Sequence, residues 1–172
     1  MSSTAAKCLR MIVSTAFAIV STGTALAATT NGEAAVVAKL YKDFAWQALA
    51  SQHDLFGDDV AHQGKATLEH YFSPALADLL VNDAACQIRS RGICNLDFDL
   101  LFDSQDPRVM DLDVTTTSPG RVAVIYKDPV DGKATRMEFD VARVAGQWKI
   151  ADIIYSRPDR VSLKRVLSRH LP

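Results

Sequence analysis

Apolar residues recur along this chain at two different periods, and the change of period near residue 97 divides it in two. In residues 33–51, Val37, Leu40, Phe44 and Ala48 follow one another at spacings of three and four, so they share one face of a helix, with Tyr41 and Trp46 beside the stripe. Residues 52–65 carry two glycines and three aspartates and read as a loop. A short helical turn is expected over 67–71. Ser73 and Pro74 then supply a helix start, with an N-cap hydroxyl and a ring that presets φ in the first turn. They predict a helix over 74–86 that turns Leu76, Leu79 and Leu80 inward.

From residue 97 the period is two. Met110, Leu112 and Val114 alternate with Asp111 and Asp113, and Ser118, Pro119 and Gly120 make a turn. Val122, Val124 and Tyr126 come next, then the hairpin dipeptide Asp131–Gly132. Met137, Phe139 and Val141 lead to a second tight turn at Ala145–Gly146, and Trp148, Ile150, Asp152 and Ile154 close the series. Two-residue turns set both registers. The first pairs Tyr126 with Met137, Val124 with Phe139 and Val122 with Val141. The second pairs Arg143 with Trp148, Val141 with Ile150, Phe139 with Asp152 and Met137 with Ile154. Both put the large apolar side chains on one face. Agreement of this kind supports the pairing, because a slip of one residue turns every side chain over. The opposite face then carries Lys127, Arg136, Glu138, Asp140 and Lys149, with Ile125, Ile153 and Tyr155 among them. A basic helix is expected over 162–171. Helices first and then an antiparallel sheet with one apolar face define an α+β domain.

The start of the chain changes the picture of where this domain works. Lys7 and Arg10 precede an uncharged apolar run over 11–20, and Ala25-Leu26-Ala27 follows. Charge, apolar run and small-residue site stand in the order of a secretory signal peptide, cut after Ala27. The apolar run is too short to anchor the chain stably across a bilayer core of about 30 Å. The expected organisation is a signal peptide over 1–27, a loose terminus over 28–32 and one α+β domain over 33–172, exported to a periplasm. Loss of Lys7 and Arg10 takes the formal charge from −1 to −3. That argues against general nucleic-acid binding.

Export also decides how the cysteines are read. Cys8 leaves with the signal, and Cys86 and Cys94 remain. A pair in an exported chain reads as a disulfide, here closing the polar, basic segment QIRSRGI. A redox pair would have two intervening residues rather than seven, and a zinc site would need further Cys or His nearby.

The segments VVAKLYKDF, YFSPALADLL, LDFDLLFDSQD and QWKIADI, spread over most of the domain, resemble those of exported bacterial proteins of uncharacterised function with the nuclear transport factor 2-like fold. The resemblance implies N-terminal helices packed on a curved antiparallel sheet, forming a cone with an apolar cavity. That fold hosts isomerases, dehydratases, transport adaptors and non-catalytic binding domains, so it specifies no activity.

Within such a cone the candidate pocket residues are Tyr126, Phe139, Trp148 and Asp152. A carboxylate at Asp152 on the apolar face would be desolvated and its pKa raised, as a general base requires. The alternatives for Asp152 are a hydrogen bond to a helix-terminal N–H or to Arg143, or a bulge that turns it to solvent. The Tyr126 hydroxyl either donates within a cavity or sits at its rim. Asp97, Asp99, Asp103 and Asp106 form an acidic stretch without the spacing of a calcium loop. They read as a solvated edge and a turn. His53, His62, His70 and His170 are scattered and lack zinc-hydrolase spacing. No catalytic serine motif or phosphate loop is present, and no cofactor is expected.

These features point to a non-catalytic binding protein of the cell envelope. It would take a protein partner, a toxin-neutralising immunity protein being one form, or a small apolar ligand. Loops 52–65 and 87–93 or the outer sheet face would make the contacts. The alternatives are a cavity enzyme of isomerase or dehydratase type, using Asp152, Tyr126 or an acid at 97 or 99, and a structural homodimer through the outer face.

Overall fold

A computed structural model describes residues 32–49 and 56–169. The expected signal segment, its cleavage site at Ala27, His53 and His170 lie outside the described residues.

Helix α1, Glu33–Phe44, buries Val37, Leu40, Tyr41 and Phe44, with Glu33 in its first turn and Lys42 in its last, the favourable polarity for the helix dipole. The chain then tightens into a 3-10 turn, Ala45–Ala48, instead of continuing as one helix. In that turn Gln47 faces Val60 and Asp99. The expected loop contains a second 3-10 turn, Val60–His62, capped by the Asp59 side chain, and the start of α2, Lys65–Leu68. Helix α3, Pro74–Ser90, begins at the Ser73 cap, whose hydroxyl oxygen accepts from the Leu76 N–H. It runs past Cys86, so the first half of the cysteine segment is helical rather than loop. It ends at Arg91 with φ 52°, in the left-handed region.

The sheet is an antiparallel meander of β1 (Met110–Ser118), β2 (Arg121–Lys127), β3 (Ala134–Val144), β4 (Gln147–Tyr155) and β5 (Val161–Ser162), in that spatial order. Helix α4, Leu163–Leu167, follows β5 and is shorter than the basic helix expected over 162–171. Helix α1 packs across β1, β2 and β4, and α4 packs on β4 and α3. The fold is therefore α+β. Among the described residues no helix is long and apolar enough to cross a membrane.

The β2–β3 hairpin turns over residues 128–133, closed by the Asp128 N–H to the Lys133 carbonyl, rather than over two residues. Its register is displaced by two from expectation: Tyr126 faces Thr135, Val124 faces Met137 and Val122 faces Phe139. An even displacement leaves every side chain on its expected face. The β3–β4 hairpin keeps the expected pairs from Val144–Gln147 to Val141–Ile150, but the next pair is Asp140–Asp152. Ala151 is thus an extra residue, a β-bulge, and beyond it the faces exchange. Ile153 and Tyr155, expected on the outer face, are fully buried, and Asp152 leaves the apolar face.

Residues 97–106, read from the sequence as a solvated edge and a turn, are turns with one isolated bridge between Asp99 and Ser104. Leu100, Leu101 and Phe102 within them are buried. Three consecutive carbonyls each accept a tyrosine hydroxyl. Tyr155 donates to Leu100 at 3.1 Å, Tyr41 to Leu101 at 2.5 Å and Tyr126 to Phe102. These bonds satisfy six buried polar groups and fasten the segment to α1 and the sheet. Burial holds the Tyr41 and Tyr155 hydroxyls well above the ordinary tyrosine pKa.

Candidate functional site

The four residues nominated from the sequence do not line one pocket. Phe139 is core. Tyr126 is buried, and its hydroxyl is held by Phe102. Trp148 lies half-buried at the β3–β4 turn under the Arg143 guanidinium, 4.8 Å from its ring centre. Asp152 caps the last helix: its carboxylate accepts from the Ser162 hydroxyl at 2.6 Å and the Lys164 N–H at 2.9 Å. The bulge at Ala151 causes this, and it takes Asp152 away from any role as a base on the apolar face. Cys86 and Cys94 are paired at disulfide distance, their Cα atoms 6.2 Å apart.

The basic hollow at the α1 N-terminus, about 570 Å³, is bordered by Lys39, His70, Arg143, Trp148 and Lys149. Three of its cations already have partners. Lys39 bonds Asp43, Lys149 donates to the carbonyls of Glu69 and His70, and Arg143 donates to the Gly146 carbonyl. An apolar groove of about 430 Å³ lies between α1 and β1, along Tyr41, Ala45, Leu112 and Val114.

Polar chemistry gathers instead in an open cleft of about 300 Å³, where loop 56–64, the cysteine segment and residues 95–106 meet. Asp59 and His62 come from the 3-10 turn, Gln87 and Ile93 from the cysteine segment, Asp97 and Asp99 from the segment pinned by the tyrosines. Asp59 Oδ1 takes the His62 N–H at 3.2 Å and the ring Nδ1 at 2.9 Å. His62 Nε2 lies 3.4 Å from Gln87 Oε1. Gln87 Nε2 donates to Asp83 Oδ2 at 2.9 Å, which turns its carbonyl oxygen toward His62. The ring therefore has an acceptor at each nitrogen, an arrangement suited to imidazolium. The Asp59 hydrogen bond, outweighing burial, raises the His62 pKa. Burial works to raise Asp59, and the hydrogen bond and charge of His62 overcome it, so that the carboxyl titrates below its usual range.

Asp99 behaves in the opposite way. Burial, opposed by hydrogen bonds from Gln47 and Leu101 and aided by the charge of Asp59, pushes its pKa up to about 6. Asp99 thus holds its proton more tightly than an ordinary carboxyl and His62 more tightly than an ordinary imidazole, and the cleft can bind a hydrogen-bonding or cationic group.

Asp83, missed from the sequence, is a carboxylate only 2% exposed. It accepts from the backbone N–H groups of Asn95 (2.8 Å) and Leu96 (3.3 Å) as well as from Gln87. The signal was present, since Leu76, Leu80, Asp83 and Cys86 fall on one helical stripe. The acids of residues 97–106 do not converge: Asp103 Oδ1 takes Arg157 Nε at 2.7 Å, whereas Asp99 holds Gln47. Among the described residues no group of three or more His, Cys, Asp or Glu is placed to hold a metal ion.

Comparison with known proteins adds no relative: no family model, no curated protein and no solved structure matches this chain.

Proposed function

We propose that this chain is an exported, non-catalytic recognition protein of a bacterial-type periplasm. We assign it the nuclear transport factor 2-like cone and place its binding surface at the loop end, around the Asp59–His62–Asp99 cleft and the adjoining cysteine segment. The observation that carries the reading is how the inner sheet face is used. Val122, Val124, Met137, Phe139, Ile150, Ile153 and Tyr155 on that face are all buried. The hydroxyls of Tyr41, Tyr126 and Tyr155 are spent on backbone carbonyls. Polar groups that converge do so on the outside, between two loops. Helices leading into a long-stranded meander support the cone, and the Cys86–Cys94 pair is what an oxidising compartment favours.

The reading is tested by purifying the protein from its own cell envelope and weighing it by native mass spectrometry. A stoichiometric second protein is expected. A species carrying only a bound small molecule would favour a ligand-binding or enzymatic role instead.

One observation favours a second reading, an enzyme using general acid–base chemistry. Asp99, with a pKa of about 6, shares an open cleft with the Asp59–His62 pair. On that reading Asp99→Asn abolishes turnover of the small molecule found bound. On the recognition reading no such turnover exists.

A further inference from the structure

Residues 88–93, Ile-Arg-Ser-Arg-Gly-Ile, are six consecutive exposed residues. Ile88 is 76% and Ile93 71% exposed, placing them among the most exposed large apolar side chains of the described residues. Arg89 and Arg91 stand between them, and among the described residues no carboxylate pairs with either guanidinium. The segment contains no acid, although the whole chain carries a formal charge of −1.

The ridge is also held in shape. The Cys86–Cys94 pair closes its base. Asp83, buried beneath, takes the N–H groups of Asn95 and Leu96 directly after the second cysteine. Arg91 reverses the chain in the left-handed region. Ser90 Oγ donates to the Gly92 carbonyl at 3.3 Å within the turn. A segment fixed in this way loses little conformational entropy when it binds.

We propose that residues 88–93 are a preorganised docking ridge. It enters an apolar depression, rimmed by carboxylates, on the surface of a protein partner. This rests on the reading of the chain as a recognition protein. Two isoleucines set to either side of two guanidiniums call for an apolar floor and an acidic rim, since arginine binds carboxylates through paired hydrogen bonds. An anionic membrane fits the ridge less well. Two cations attract a lipid surface weakly, and the acidic balance of the rest of the chain opposes the approach.

The test places a photo-crosslinking residue at position 88, 93 or, as a control, 130, in the full chain expressed in its own host. Val130 is 73% exposed on the β2–β3 loop, so exposure alone does not separate the positions. Crosslinks to one protein are expected from 88 and 93 and not from 130, within a partner peptide that contains Asp or Glu beside apolar residues. The charge reversal Arg89→Glu with Arg91→Glu is expected to lower the yield by about tenfold or more. These side chains are exposed, and an unchanged melting temperature and oxidised mass verify the fold.

Equal crosslinking from 130, a yield insensitive to charge reversal, or crosslinks to a second copy of this chain would overturn the ridge while leaving the recognition reading in place. So would co-sedimentation with phosphatidylglycerol vesicles that the same reversal abolishes. A protein that crosslinks to nothing from any position, and is bare in the native mass spectrum, would overturn both.

Discussion

The side-chain amide of Gln47 donates to the Asp99 carboxylate at 2.6 Å while its oxygen accepts the Val60 N–H at 3.2 Å. One residue of the 3-10 turn after α1 therefore joins two walls of the cleft. The charge on Asp99 is tolerated there through Gln47 and the Leu101 N–H, at 2.7 Å, against the burial that disfavours it.

A pH dependence follows. The Asp99 pKa lies at about 6 in the folded protein, against 3.8 for an ordinary aspartate such as the unfolded chain presents. The contribution is fully present below the unfolded value and is lost as pH rises through about 6, a swing of roughly 3 kcal/mol. Asp99→Asn removes it. Melting temperatures of both proteins at pH 5.0 and pH 7.5 are expected to show the variant gaining on the wild type at the higher pH. An equal difference at the two pH values contradicts the assignment.

His62 should titrate above its ordinary value, because Asp59 accepts from its ring. Its contribution to stability is present below the unfolded pKa and lost as pH rises through the folded one. Asp59→Asn removes the negative acceptor. An NMR titration of the ring protons is expected to give a raised pKa in the wild type and a lower one in the variant. Identical curves would mean that the pair does not form in solution.

Asp83 is expected to be the costliest polar side chain to remove at this end of the molecule. Asp83→Ala strands the Asn95 and Leu96 N–H groups beneath the ridge, a loss of about 3 kcal/mol. Urea unfolding measures it. A loss below about 0.5 kcal/mol, the range of ordinary surface substitutions, would show that these donors are satisfied in another way.

Asp152→Ala should behave as the loss of a cap, costing about 1 kcal/mol, with no effect on partner binding. Ser162→Ala should cost a similar amount, and the double variant less than the sum, since the two side chains bond one another at 2.6 Å. Strict additivity in urea unfolding would contradict the shared cap.

Reduction of the Cys86–Cys94 bond is expected to cost roughly 2.5 kcal/mol on chain-entropy arithmetic. Denaturation of the oxidised protein and of Cys86→Ser with Cys94→Ser measures this. No difference between them would mean that Asp83 alone fixes the segment.

Much of the architecture was legible because alternation survives even errors. The β2–β3 register is displaced by two, yet Val122, Val124, Met137 and Phe139 point inward as expected. Ser73 and Pro74 opened a helix as their chemistry requires. The bulge at Ala151 was hidden, because in Ile150-Ala151-Asp152-Ile153-Ile154 an apolar residue suits either face. That ambiguity put Asp152 on the wrong side and Tyr155 outside the core. The cleft was hidden for another reason. Gln47, Asp59, His62, Gln87 and Asp99 are brought together only by tertiary packing. Which acid of residues 97–106 is desolvated depends on three distant tyrosines holding its neighbours.

The central claim, that recognition occurs at the loop end rather than on the inner face of the sheet, is tested most directly by amide hydrogen exchange on the protein alone and on its native complex. The account predicts that the partner protects residues 56–64 and 86–97 and leaves the strands β2 to β4 unchanged. Protection confined to the sheet interior or to the groove between α1 and β1, with residues 86–97 unaffected, would contradict it.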